Sequence, residues 1–108
     1  MILCPNDESQ LYTLLLYSRQ GCCLCKGLEE HLLSLNLFAF SPPLQLSVID
    51  IDAPSTPTKV RCRYDLLVPV LAVDYAGIFR ELPRVSPRLT GEQLNSWLQR
   101  SCAAAYNL

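Results

Sequence analysis

Neither sign of charge dominates this chain: nine basic residues stand against ten acidic ones, a formal net charge of −1. That balance provides no basic face for nucleic acid and no attraction to an anionic membrane surface. Long hydrophobic runs are missing too, and none approaches the ~20 residues needed to span a bilayer. The first eight residues, M-I-L-C-P-N-D-E, lack the basic and long apolar segments of a secretory leader and already carry acid. A reducing, cytoplasmic setting is therefore expected. There, six cysteines in 108 residues point to redox chemistry or metal rather than to a secreted disulfide framework. Half of the residues are hydrophobic, enough for one packed core, and the length suits a single domain.

Residues 1–10 are polar and aperiodic, which reads as a loosely held arm; a domain over 11–102 and a tail over 103–108 follow. The apolar run at 11–17, L-Y-T-L-L-L-Y, fits a strand buried on both faces. Beyond the loop S-R-Q-G the period changes. Cys25, Leu28, Leu32 and Leu35 recur at helical steps, giving a helix over 23–37. A proline-closed loop leads to a second strand at 45–51, Q-L-S-V-I-D-I. Thr56 as N-cap and Pro57 at the first helical position would open a short helix to Tyr64, with Val60 and Tyr64 buried. Pro69 stands at the entry of a third strand, and Ala76-Gly77 turns it into a fourth at 78–82. T-G-E-Q at 90–93 is a capping box for a last helix, whose core face is Leu94, Trp97 and Leu98 and which frays from Ala103. The order β-α-β-α-β-β-α implies two parallel strands, an antiparallel pair, and a four-stranded mixed sheet with helices on both faces, an α/β fold.

Three of the six cysteines fall within C-C-L-C at 22–25. On a helix, residues three apart have Cα atoms about 5 Å apart, inside the ~4.4–6.8 Å window of a disulfide. Adjacent residues, at about 3.8 Å, fall below it, and residues two apart face different sides. The productive pair is Cys22 with Cys25. Cys22 lies at the helix tip, where free N–H groups favour a thiolate, so it is the nucleophile. Cys25 continues the leucine stripe; more buried, it resolves the mixed disulfide. Arg19 and Lys26 are the cations that could assist Cys22. Cys23 reads as a tolerated small residue at an exposed helix start. Cys4 reads as an incidental thiol, Cys62 and Cys102 as structural ones.

The motifs L-L-L-Y-S-R-Q-G-C-C-L-C (14–25), V-I-D-I-D (48–52) and R-Y-D-L-L-V-P-V-L (63–71) resemble the thioredoxin superfamily. Within it, they resemble the glutaredoxin-like family of short proteins with a C-x-L-C motif, over residues 11–101. The resemblance implies a thioredoxin-like fold and matches Cys22 and Cys25 to the family's nucleophilic and resolving cysteines. It matches Pro69 to the family's cis-proline, beside which the backbone of Val68 would pair with an extended thiol substrate. Val68 and Pro69 are accordingly counted as the substrate side of the site, and Arg19, beside the cysteine motif, is counted with them. The activity implied is thiol–disulfide exchange in cell redox homeostasis, on a protein or small molecule bearing a thiol or disulfide. No resident cofactor or metal is expected, and glutathione is the possible reductant. A monomer is expected.

The chain departs from that pattern in two places. Gln20-Gly21 stands where thioredoxin has Trp, and Trp97 is the only tryptophan. The stretch L-P-R-V-S-P-R-L-T-G (82–91) lacks the Gly-Gly and the acid with which typical glutaredoxins hold glutathione; Arg84 and Arg88 are the cations there that could pair a carboxylate. His31, the single histidine, lies about 13 Å along the helix axis from Cys22, too far to act as its base. Asp50 and Asp52 read as strand-end acids, with a buried acid beside Cys25 as the other role open to them. Two further readings compete with the enzyme. Cys22, Cys23 and Cys25 could hold a soft metal ion, or Cys22 could share an iron–sulfur cluster with an outside thiol and deliver it. Alternatively the fold is a non-catalytic interaction module whose cysteines are structural.

Overall fold

The structure, a computed structural model, describes residues 12–40, 43–86 and 88–106. Cys4 and the whole expected arm, with Leu11, lie outside the described residues. The elements come in the expected order: β1 (Tyr12–Ser18), α1 (Cys23–Leu33), a 3-10 turn (Leu37–Ala39), β2 (Leu44–Asp50), α2 (Thr58–Tyr64), β3 (Val70–Tyr75), β4 (Ile78–Glu81) and α3 (Gly91–Tyr106). The sheet order is β2-β1-β3-β4. β1 runs parallel to β2, from Tyr12 opposite Leu44 to Ser18 opposite Asp50, and antiparallel to β3. β3 and β4 form the antiparallel hairpin.

Strand alternation divides the core in two. Tyr12, Leu14, Leu16, Leu44, Leu71 and Val73 point to one face and pack with Leu28 and Leu32 of α1 and Leu94, Leu98 and Cys102 of α3. Tyr17, Val70 and Ala72 point to the other, against Ile51 and Tyr64, with Val60 of α2 partly buried beside them. The mixed sheet therefore carries helices on both faces. Its second face is covered by a helix of only seven residues, so Thr13 and Leu15 on β1 are half-buried rather than fully enclosed.

Three helix boundaries differ from expectation. Helix α1 ends at Leu33 rather than 37: the Ser34 hydroxyl donates to the His31 carbonyl at 2.6 Å and its N–H to the Glu30 carbonyl, closing the last turn. Leu37 is still buried, but from the 3-10 turn. Thr56 does not cap α2. Its hydroxyl donates to the carbonyl of Asp50 at 2.7 Å, and Pro57, extended at ψ 144°, occupies the cap position. The carbonyl at the end of β2 has left the ladder and competes successfully for that hydroxyl. At the other end of the chain, α3 continues to Tyr106, with Cys102 buried and Ala105 packed on the core.

Candidate functional site

β1 delivers the chain to the site through a tight turn. The Cys22 N–H donates to the Arg19 carbonyl at 3.3 Å, and Gly21 sits inside the turn at φ +82°. A side chain at Gly21 would strain this left-handed backbone, although space around it is open. Cys22 is the last extended residue, at φ −88° and ψ 105°, and α1 begins at Cys23.

Cys22 and Cys25 are joined as a disulfide, with Cα atoms 5.2 Å apart. The Cys22 sulfur also caps the helix: it accepts the Cys25 backbone N–H at 3.1 Å, the part a serine or aspartate oxygen usually plays. No carboxylate lies in the first turn of α1 to compete for those N–H groups. Cys25 is 2 % exposed, whereas Cys22 is half-exposed at the helix mouth. One sulfur is presented and its mate is enclosed. In the reduced protein the same N–H and the helix dipole would stabilise negative charge on the Cys22 sulfur.

Two depressions lie near this pair, and only the first is lined by it. A cleft of about 760 Å³ is lined by Arg19, Cys22, Cys25, Lys26, Glu29 and Asp50 among others. A smaller groove of about 160 Å³ runs between α1 and the loop before β3, lined by Cys23, Leu24, Gly27, His31, Pro69 and Arg84. The Val68–Pro69 peptide is cis, the geometry the resemblance implied. The Val68 N–H donates to the Tyr64 carbonyl at 3.2 Å, so this half of its backbone pairing capacity is already engaged. His31 forms part of the groove wall rather than facing open solvent alone.

Arg19 lines the cleft, and its guanidinium is held by two acids. It makes a bidentate contact with Asp52, Nε to Oδ2 at 2.9 Å and Nη2 to Oδ1 at 3.0 Å. It also reaches Asp65, at Oδ1 and at the backbone carbonyl, both at 2.8 Å. The hydrogen bond from Arg19 holds the Asp52 carboxyl below the usual carboxylate range, and the Arg19 pKa is raised by the same contacts. Sequence reasoning missed Asp65. Its one local signal, a place at the end of α2 just before V-P, says nothing about a partner 46 residues away. Asp50 also borders the cleft and is half-exposed; one carboxylate oxygen accepts the Asp52 N–H.

The remaining candidates stand apart. Cys23 is exposed on the groove wall and Cys62 is exposed on α2. Cys102 is buried on α3, and burial pushes its thiol up to about 11. Arg84 donates to the Leu67 carbonyl at 3.1 Å, and Arg88 donates its backbone N–H to the Ser86 hydroxyl. Among the described residues, no three or more His, Cys, Asp or Glu side chains are grouped to hold a metal ion. Nor is any helix among them long and apolar enough to cross a membrane.

The family model for the glutaredoxin-like domain (DUF836) matches residues 13–99. No curated protein matches the chain. Among solved structures, a thioredoxin from Thermus thermophilus aligns with 95 % of this chain and 83 % of its own, at 17 % identity and a TM-score of 0.61. A malarial protein aligns over 84 % of this chain and 97 % of its own, at 12 % identity and a TM-score of 0.56. A structural-genomics target from X. campestris is 28 % identical over 81 % of this chain and 96 % of its own, at a TM-score of 0.49. The thioredoxin and the malarial protein share the fold, and the family match spans β1 to α3 with the cysteine pair inside it. This chain belongs to the glutaredoxin-like domain family and has the thioredoxin-like fold.

Proposed function

We propose that the protein is a dithiol–disulfide oxidoreductase in which Cys22 attacks and Cys25 resolves. The observation that carries this reading is the Cys22–Cys25 disulfide at the start of α1, with the Cys22 sulfur accepting a helix N–H. The Cys22 thiolate attacks one sulfur of a substrate disulfide, forming a mixed disulfide and releasing the first thiolate, which takes a proton from solvent. The Cys25 thiol then gives up its proton and attacks the Cys22 sulfur. The Cys22–Cys25 disulfide forms, and the second substrate thiol leaves. The substrate gains two electrons and the dithiol loses two. Two glutathione molecules, or another dithiol, return them and are oxidised in turn.

Burial supports the division of labour. A half-exposed sulfur meets the substrate first; one that is 2 % exposed acts once the mixed disulfide has formed beside it. Pro69 borders the groove where the substrate chain would lie, and at the residue before it the Val68 carbonyl, rather than its committed N–H, is the group offered to a substrate backbone. Arg84 is the cation on that groove wall and is the seat proposed for a substrate or glutathione carboxylate. In a reducing, cytoplasmic setting such a dithiol would serve protein or small-molecule disulfides.

The test uses single variants of the full chain on a model peptide disulfide, with glutathione and a separate dithiol as reductants. Cys22→Ser should abolish turnover, and Cys25→Ser should trap a mixed disulfide on Cys22 visible by mass spectrometry. Full turnover in Cys22→Ser would refute the reading.

A further inference from the structure

From these contacts we infer that Arg19 is a positioning residue, which locks the turn carrying Cys22 to the loop carrying Val68 and Pro69. This rests on the redox reading above. Three separate pieces of chain meet at its guanidinium. Arg19 is the first residue of the turn that Cys22 closes. Asp52 lies just beyond β2. Asp65 caps the end of α2, and three residues after it the chain reaches Val68.

The hydrogen bonds divide between side chain and backbone in a way that matters. Asp65 is gripped at its carboxylate and at its carbonyl, which fixes the peptide plane leaving α2. The next bonds in that direction are Leu67 and Val68 N–H groups on the Tyr64 carbonyl, at 2.9 and 3.2 Å, which carry the constraint to Pro69. Leu66, between them, is 89 % exposed and has no packing to hold the loop by itself. Arg84 also holds this loop, at the Leu67 carbonyl, but the Arg19 brace is the tie that joins it to the turn carrying Cys22, and so bears on the distance between the attacking sulfur and a substrate lying along Val68–Pro69. It does not touch the helix N–H that faces the Cys22 sulfur. That bond comes from Cys25, inside α1.

This separation gives the test. Alkylation of reduced Cys22 by iodoacetamide requires only the thiolate, whereas exchange with a peptide disulfide also requires the loop in place. Arg19→Ala should lower kcat/KM for the peptide disulfide by about tenfold or more, the scale of a small misplacement of reacting groups, and change the alkylation rate far less. Amide hydrogen exchange should quicken at Leu67 and Val68. Arg19→Lys should not restore turnover, because one ammonium cannot reproduce the planar fork that spans Asp52 and both groups of Asp65. Asp65→Asn, which keeps the carbonyl contact, should fall between wild type and Arg19→Ala. It also serves if Arg19→Ala folds poorly.

Unchanged turnover in both variants would overturn the inference. So would alkylation and turnover falling by the same factor, which would place Arg19 on the sulfur itself. A wild-type protein without disulfide turnover would instead refute the redox reading. The exchange rates at Leu67 and Val68 would then decide the brace alone, unchanged rates refuting it.

Discussion

The five cysteines among the described residues meet different surroundings, and their thiol chemistry should separate accordingly. Cys23 and Cys62 face solvent, Cys25 and Cys102 are enclosed, and Cys22 has a helix terminus pointed at it. For Cys102 the fold favours the neutral thiol. Its contribution to stability is complete below the ordinary thiol range and fades as pH rises through about 11. In the reduced, folded protein at neutral pH, alkylation followed by mass spectrometry should modify Cys102 after Cys22, Cys23 and Cys62, and only as the fold opens. Prompt labelling of Cys102 alongside Cys62 would contradict its burial. The pairing of Cys22 with Cys25 was legible because it depends on helical spacing alone. The partners of Arg19 were not, because they lie 33 and 46 residues further along and meet it only after the sheet has formed.

At the level of elements, the hairpin shows which local signals are sufficient. Ala76 and Gly77 both have positive φ, 54° and 84°, the pair of left-handed residues that a two-residue turn between twisted strands requires. The Asp74 carboxylate accepts the Gly77 N–H at 3.1 Å and pins the turn. Gly77→Ala should therefore destabilise the protein by about 1 kcal/mol through backbone strain, measured by denaturant unfolding. An unchanged or higher midpoint would show that the turn relaxes. This element was readable because its chemistry is local. The start of α2 was not: Thr56 and Pro57 formed a plausible cap, but the Asp50 carbonyl, six residues earlier, took the hydroxyl alongside the Ala53 N–H. The end of α1 was misplaced for a similar reason. Apolar spacing continues to Leu35, and periodicity does not register Ser34 turning its hydroxyl back onto the helix.

For the molecule as a whole, a sheet with two unequal sides concentrates stability on one of them. Leu14, Leu32, Leu94 and Leu98, all on the face covered by α1 and α3, are fully buried. Leu98→Ala should cost about 2–5 kcal/mol, read from the shift in unfolding midpoint, with a smaller cost pointing to a site that collapses around the gap. The element order, the parallel first pair and the antiparallel last pair followed from periodicity and the crossover rule, whereas the neighbour order of the strands and the face each side chain takes came only with the structure. What alternation does not convey is how little of the second face a seven-residue helix covers. The well-packed side holds α1 in place, and α1 directs its N-terminus at one sulfur; that is how the fold reaches the chemistry. The pH dependence of Cys22 alkylation in the reduced protein, followed by mass spectrometry, tests this most directly. The account predicts a midpoint clearly below the free-thiol value of about 8.5. A midpoint at or above that value would contradict it.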